Sequence, residues 1–186
     1  EERFRSVIQS ASDAIFLVNQ TGNIILWNNA AEKIFGYNEK EILGKSALIL
    51  MGEKYARKTT EVGLRKTMEE IIAPLSGKIV QASGKRKDQS EFPLELSGSI
   101  WETNEGIFYT AIIRDITERQ KAEESLKTSE ERYRDLIENA NDTIYLHDLT
   151  GKFISVNQTG ERMFGFTREE AKKLHISQVV APDSLE

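Results

Sequence analysis

Apolar residues along the first fifty positions recur with the periods of helices and strands. A short amphipathic helix is predicted by apolar residues at helical spacing, which are Phe4, Val7, Ile8 and Ala11. Apolar runs over residues 15–18 and 24–27 predict two buried strands, and the segment 21–23 between them has the composition of a tight turn. Asn38 followed by Glu41 has the layout of a capping box, which predicts the start of a short helix.

The following residues predict one longer helix and three further strands. Helical spacing of apolar residues covers about 53–72 and ends before Pro74. Strands are predicted at 78–83, 92–97 and 107–114, and the second of them alternates apolar and polar residues. A basic, solvated hairpin tip at 84–89 separates the first two of these strands. A five-stranded antiparallel sheet with helices on one face gives an α+β fold class.

A long polar helix is predicted after the last strand. From Thr117 to about Asn139 the chain has no Gly or Pro and is rich in strong helix formers. Small and apolar residues follow a heptad spacing along this helix, at Ala122, Leu126, Ser129, Tyr133, Leu136 and Ala140. This seam predicts a coiled-coil-prone linker and a homodimer, formed through the linker or through a domain surface. A lone amphipathic helix would explain the same spacing.

The opening pattern occurs a second time at a fixed distance. Residues 3–41 align without a gap on residues 132–170, an offset of 129, and 15 of the 39 aligned residues are identical. An offset of this size fits a small domain rather than a solenoid repeat. We expect a first domain at 1–116, a linker helix at 117–139 and the N-terminal part of a second domain at 131–186. The incomplete copy is expected to be loosely ordered from about residue 141, or ordered by pairing with another chain.

Composition narrows the classes of function. The net charge of −5 disfavours nucleic-acid binding, and the absence of cysteine excludes disulfides and thiolate chemistry. No apolar run is long enough to span a bilayer, so we expect a cytoplasmic segment without direct membrane contact. The chain is expected to be part of a longer protein, for which a membrane anchor elsewhere stays open. No P-loop, nucleophile elbow or kinase ATP lid occurs, so we expect no catalytic residues in this segment.

Several motifs resemble those of one family of sensory domains. The first half carries Asp13-Ala14-Ile15, Thr21-Gly22, Trp27-Asn28-Asn29-Ala30-Ala31-Glu32 and Phe35-Gly36-Tyr37. The second half carries Gly84-Lys85-Arg86-Lys87-Asp88, Phe92-Pro93 and Ile113-Arg114-Asp115-Ile116-Thr117-Glu118-Arg119. These motifs resemble the PAS domain and its C-terminal PAC motif, over residues 2–125 and again, for the truncated copy, over 131–186. Gln89 departs from the family pattern, which often has Gly there, and this departure concerns the geometry of the hairpin turn.

The resemblance implies a sensory module that detects a small molecule or a partner and relays its state through the linker helix to an output domain of the same chain. The most frequent output in the family is a histidine kinase of a two-component phosphorelay, and a cyclic-dinucleotide enzyme is an alternative. The resemblance assigns signal coupling to Asp115, Ile116 and Thr117, and it implies that the opening strand pairs with the closing one. Thr117 with Gln120 also has capping spacing for the linker helix. A passive dimerisation spacer without a ligand is the rival hypothesis.

The resemblance also bears on cofactors. Residues 50–59 are similar to the haem-binding helix of oxygen-sensing PAS domains, but Thr59 stands where those sensors carry the iron-ligating His, and Val80 stands where they carry an oxygen-contacting Arg. A hydroxyl does not replace imidazole as an axial ligand, which argues against haem. The chain has no Cys for a flavin adduct. Non-covalent flavin stays open, with Trp27 and Asn28 as candidate contacts.

The remaining candidates concern the interior and the histidines. Alternation predicts that a set of side chains lines the pocket side of the sheet or faces it, namely Phe35, Leu50, Leu94, Leu96, Tyr109, Ala111 and Ile113. The interpretation we favour is a filled apolar core, so we expect no bound cofactor. His147 precedes Asp148 like the phosphoacceptor pair of histidine kinases but lies in a predicted strand. His175 has no second ligand at metal spacing, so no metal site is predicted.

Overall fold

A computed structural model describes residues 2–53 and 78–179 of the chain. The chain divides into two compact units, Glu1–Lys121 and Ala122–Glu186. The boundary falls inside the predicted linker helix. Among the helices that the structure describes, none is both long and apolar enough to cross a bilayer.

The first unit begins with helix α1 (Glu2–Ser10), strands β1 (Ala14–Asn19) and β2 (Ile24–Trp27), and helices α2 (Asn29–Phe35) and α3 (Glu39–Ile42). A 3₁₀ turn follows at Ala47–Leu50. After the undescribed residues come β3 (Val80–Lys85), β4 (Glu91–Thr103) and β5 (Gly106–Asp115). Helix α4 (Thr117–Glu138) continues from this unit into the second one.

The five strands form one antiparallel sheet in the order β2-β1-β5-β4-β3. The opening strand β1 lies at its centre and pairs with the closing strand β5, with Phe16 opposite Ala111. Residues on one face of β1 are buried and those on the other face are only half-buried, because helix α2 packs against this strand. This arrangement confirms the predicted α+β fold.

The structure corrects the bounds of two strands. Strand β3 runs to Lys85, so the hairpin tip begins two residues later than predicted. Strand β4 continues to Thr103, well past the predicted end at residue 97, because its ladder with β5 extends to the pair of Thr103 and Gly106. The helix predicted over 53–72 lies almost wholly outside the described residues.

The second unit contains the rest of α4, the strands β6 (Tyr145–His147) and β7 (Phe153–Val156), and the helices α5 (Gln158–Phe164) and α6 (Arg168–Ala171). A 3₁₀ turn at Ile176–Gln178 ends its described part. Strands β6 and β7 form a two-stranded antiparallel sheet. The predicted capping box of Asn38 and Glu41 has both of its hydrogen bonds, and the equivalent pair in the second unit, Thr167 and Glu170, forms a capping box as well.

Candidate functional site

The predicted coupling residues lie where the sheet ends and the linker helix begins. Asp115 is the last residue of β5, and its Oδ1 accepts a hydrogen bond of 2.8 Å from the backbone N–H of Thr117. The carbonyl of Ile116 accepts from Gln120 N–H at 2.9 Å, so the helical ladder starts at Ile116. The carboxylate of Asp115 therefore caps the helix. The expectation that the Thr117 hydroxyl acts as the cap is wrong, because Thr117 already lies inside the helix.

Arg86 brings the β3–β4 hairpin to the same place. Its Nη2 lies 2.6 Å from Asp115 Oδ2, and its Nη1 donates to the carbonyl of Ile34 near the end of α2. The guanidinium carbon also lies 3.9 Å from the centre of the Phe92 ring, within the range of a cation–π contact. Arg86 thus connects the hairpin, the end of α2 and the start of the linker helix. We define Arg86, Asp115 and Thr117 as the junction.

Sequence reasoning missed Arg86, which was expected in a solvated basic tip. Its side chain is 25% exposed and that of Asp115 is 24% exposed, so the pair is largely shielded from water. The neighbouring Lys87 fits the expectation better, since it is half-exposed and pairs with Glu41. Residue type could have indicated this role from the sequence. Of the three cationic residues of the tip, Arg86 is the one arginine, and a guanidinium presents several N–H donors in a fixed, planar arrangement.

The electrostatics of the junction favour an ionised Asp115. Burial raises the pKa of this carboxyl, but the hydrogen bonds from Thr117 and Arg86 lower it more, so the net pKa lies below the usual value of 3.8. A carboxyl whose pKa is lowered by folding stabilises the folded state above its unfolded pKa. This contribution is lost as the pH falls through the lowered pKa of Asp115. The stabilisation that ionised Asp115 contributes is therefore fully present at neutral pH.

Two further contacts tie the linker helix to the sheet. Ile116 N–H donates to the carbonyl of Pro93 on β4 at 3.2 Å. Arg119 Nη1, in the first turn of the helix, lies 3.3 Å from Glu95 Oε1 on the same strand. Ile116 itself is buried. The start of the helix is thus fixed to β4 as well as to β5.

The predicted pocket residues lie in the interior of the first unit. All of them are buried except Leu96, which is partly buried and packs against the same core. Four aromatic rings fill the centre of this core, with ring centroids 5.4–6.3 Å apart between neighbours: Phe16, Trp27, Phe35 and Phe92. The assignment of the predicted set as the lining of a ligand pocket stays a prediction.

Asn28, the expected polar contact for a ligand, forms four hydrogen bonds within the protein. The side chain is fully buried, and its Nδ2 donates to the carbonyls of Ile8 and Asp13 at 3.0 Å each. Its Oδ1 accepts from the backbone N–H groups of Ile15 and Ala31 at 2.9 Å each. Both amide hydrogens and both lone pairs are therefore in use. Trp27, the other proposed flavin contact, donates its Nε1–H to the carbonyl of Tyr37.

Haem ligation through imidazole does not fit the residues of the first unit. Thr59 lies outside the described residues, and its hydroxyl is not an axial ligand. Val80 is an exposed residue at the start of β3. The two histidines of the chain, His147 and His175, both belong to the second unit. Among the described residues there is no cluster of three or more metal-ligating side chains.

The predicted dimer seam is exposed along the linker helix. Leu126, Tyr133 and Leu136 have relative exposures of 62%, 67% and 64%, and Ala122 is exposed as well. None of the residues of α4 is buried, so the apolar side chains of the seam have no covering partner among the described residues.

Comparison with known proteins identifies the family. Residues 12–118 match the PAS domain family, and residues 131–185 match a second PAS domain description. The chain belongs to the PAS domain family. Sensor protein FixL of Bradyrhizobium diazoefficiens is 31% identical to it over 128 residues, which are 68% of this chain and 25% of FixL. Sporulation kinase E of Bacillus subtilis is 30% identical over 172 residues, which are 88% of this chain and 21% of the kinase.

Solved structures agree with the PAS fold. The PAS domain of a protein from Colwellia psychrerythraea superposes with a TM-score of 0.52 at 19% identity, covering 63% of this chain and 97% of that structure. A PAS domain from a two-component sensor histidine kinase superposes with a TM-score of 0.50 at 16% identity, covering 61% of this chain and 94% of that structure. The PAS chain spans about a quarter or less of the length of FixL and sporulation kinase E. It is a sensory signalling module.

Proposed function

We propose that this PAS module relays its state through the junction and the linker helix to an output domain of the same protein, a histidine kinase of a two-component phosphorelay. The observation that carries the proposal is that Arg86 contacts both the end of α2 and the carboxylate that caps the linker helix. The relatives named as a sensor protein and a sporulation kinase support this kind of output. The sensory region of a cyclic-dinucleotide enzyme is the alternative output.

The junction suggests how the relay works. A shift of α2 or of the β3–β4 hairpin moves the guanidinium of Arg86, because Arg86 contacts Ile34 and belongs to the hairpin. If the carboxylate of Asp115 moves with Arg86, its hydrogen bond from Thr117 N–H breaks. If it keeps this hydrogen bond, its ion pair with Arg86 breaks. In both cases the first turn of α4 loses one of the contacts that fix it to the sheet and its β3–β4 hairpin. The segment itself performs no catalysis in this proposal, and it lies in the cytoplasm without contact to nucleic acid or membrane.

Hydrogen exchange of Asp115→Ala tests the relay. We expect exchange to rise by about fivefold or more around residues 117–125, because the helix loses its cap and Arg86 loses its partner. Strands β4 and β5 should stay protected. The control is Asp13→Ala, which removes a bidentate ion pair to Arg114 but no contact to α4. If exchange in Asp115→Ala rises equally throughout the first unit, the junction only stabilises the fold, and the proposal is contradicted.

A passive dimerisation spacer is the second candidate function. It is supported by the four packed aromatic rings in the interior, which occupy space that a ligand would need. Native mass spectrometry and absorbance of the purified protein separate the two functions. A co-purified small molecule or chromophore supports sensing by ligand, and an empty, spectrally silent protein supports the spacer.

A further inference from the structure

His175 joins two parts of the second unit through both of its ring nitrogens. The side chain stands at the start of the 3₁₀ turn Ile176–Gln178, and its Nδ1 lies 3.2 Å from the backbone N of Ser177 and 2.7 Å from Ser177 Oγ. Its Nε2 lies 2.6 Å from the carbonyl oxygen of Thr150 in the β6–β7 turn. The ring therefore holds the β6–β7 turn on one side and caps the 3₁₀ turn on the other.

These partners assign the tautomer of the ring. A carbonyl oxygen only accepts hydrogen bonds, so Nε2 carries the hydrogen that is donated to Thr150. A backbone N–H only donates, so Nδ1 presents its lone pair to Ser177. The ring also lies directly over Gly151, where an added Cβ would come within 2.5 Å of Nε2. The observed arrangement thus needs a neutral imidazole with its hydrogen on Nε2, and the ring packs against Gly151.

The first unit shows the same site with a residue that does not titrate. Ser46 is the equivalent of His175 at the offset of 129, and both residues form an isolated antiparallel bridge to the equivalent turn, through Asn23 and Lys152. Ser46 caps its own 3₁₀ turn through Oγ, which accepts from Leu48 N–H at 3.4 Å. The second unit therefore has a titratable cap where the first has a hydroxyl.

We propose that His175 is a proton-sensitive cap, through which acidification frees the backbone N–H of Ser177. Protonation adds a hydrogen to Nδ1, which then donates to Ser177 Oγ, 2.7 Å away, and no longer accepts from Ser177 N–H. The Nε2–H bond to Thr150 persists and becomes charge-assisted. The β6–β7 turn consequently keeps its contact with the ring. The 3₁₀ turn loses the hydrogen bond of Ser177 N–H and keeps the backbone bond from Ile176 N–H to the carbonyl of Gly151. This inference goes beyond the proposed relay and does not depend on it.

The surroundings of the ring do not offer an anion that would hold it in place after protonation. The hydrogen-bonding partners of His175 are all uncharged. On the turn, Asp148 Oδ1 accepts from the backbone N–H groups of Thr150 and Lys152, and Lys152 is the bridge partner of His175. On the preceding helical turn, Lys172 pairs with Glu169 and is followed by Lys173. Within the described part of the chain no carboxylate forms a hydrogen bond or an ion pair with the imidazole.

Nuclear magnetic resonance on the whole chain tests this cap, since the chain has two histidines. At about pH 7.5 the ¹⁵N shifts of His175 should report a protonated Nε2 and an unprotonated Nδ1. When the sample is taken from about pH 7.5 to about pH 5.5, the amide shift of Ser177 should change together with the ¹⁵N shifts of the His175 ring. Its exchange protection, corrected for the intrinsic rate, should fall by about fivefold to tenfold.

Two variants make the test specific. His175→Ser copies the cap of the first unit, so the Ser177 amide should be protected and its shift should not change with pH. His147→Ser removes the other histidine, whose Nδ1 lies near the carbonyl of Asp148, and should leave the transition unchanged. The proposal is overturned by the opposite tautomer, by a Ser177 amide that is unprotected at both pH values, or by the same transition in His175→Ser.

Discussion

At the scale of single residues, one buried asparagine organises the start of each unit. Asn28 and Asn157 are equivalent at the offset of 129, and both are almost completely buried. Asn157 repeats the four hydrogen bonds of Asn28. Its Nδ2 donates to the carbonyls of Ile137 and Asp142. Its Oδ1 accepts from the backbone N–H groups of Ile144 and Gly160. The helix before the first strand, the strand and the next helix are thus joined by one side chain.

Replacing Asn28 by Ala should be strongly destabilising. Four backbone groups lose a hydrogen bond at once, of which the carbonyl of Ile8 keeps a second one from Ala11 N–H. Each buried group that is left unpaired costs about 1–3 kcal/mol unless water reaches it. We expect the free energy of unfolding of the first unit to fall by about 3 kcal/mol, measured by chemical denaturation. The control is Asn29→Ala, at an exposed neighbour that makes one side-chain donation, to the carbonyl of Gln9. Equal losses in the two variants would contradict this role of Asn28.

Gln89 shows the cost of departing from the family pattern at the hairpin tip. Its φ of 71° lies in the left-handed region, and it is the one non-glycine residue with positive φ among those described. This conformation costs a side-chain-bearing residue about 1 kcal/mol or more, and glycine avoids the cost. Gln89→Gly should therefore raise the free energy of unfolding by about 0.5–1 kcal/mol, measured by thermal or denaturant unfolding.

The matched control for Gln89 is the reverse change at Gly44. Gly44 has a φ of 79°, and an added Cβ would meet no atom within 4 Å, so Gly44→Ala introduces backbone strain without a clash. We expect it to lower stability by about 1 kcal/mol. If Gln89→Gly has no effect while Gly44→Ala destabilises, strain at the tip is relieved by another means and the argument for Gln89 is wrong.

At the scale of elements, the linker helix carries the dimer hypothesis. Leu126→Glu places a charge in the exposed seam and should weaken self-association by about tenfold or more, because an unpaired charge would be buried in the helix pair. Analytical ultracentrifugation measures the change. Thr128→Glu adds the same charge off the seam and should leave association unchanged. An identical oligomeric state in all three proteins would contradict the coiled-coil interpretation.

The elements also show what a sequence can and cannot predict. Periodicity located β1 and β2, and residue spacing located the capping box of Asn38 and Glu41, because those signals lie within a few neighbouring residues. The end of β4 was misjudged, since its extension to Thr103 depends on pairing with β5. Arg86 was missed for the same reason. Its partners Asp115 and Ile34 are 29 and 52 residues away in the chain, and no local pattern reports such contacts.

At the scale of the whole molecule, the two units share a beginning but differ in their sheets. In the first unit β1 pairs with both β2 and β5, and alternate residues of β1 are buried. In the second unit β6 pairs with β7 alone among the described strands, and all three of its residues are exposed. Phe153 and Val156 of β7 are buried, whereas Leu146 is 56% exposed. The second unit therefore keeps the Asn157 network with a much smaller sheet.

This difference predicts unequal resistance to protease. A two-stranded sheet is marginal in water, so the second unit should open more often than the first. Brief digestion with trypsin should cut first within residues 141–179 and leave a resistant fragment that ends near residue 130, identified by mass spectrometry. Asn157→Ala should speed these cuts without affecting the first unit, because it removes the hydrogen bonds that join the hairpin to its flanking helices. A monomer whose second unit survives as long as the first would contradict this prediction. Protection that appears only at concentrations where the chain self-associates would instead show that the second unit is ordered by pairing with another copy.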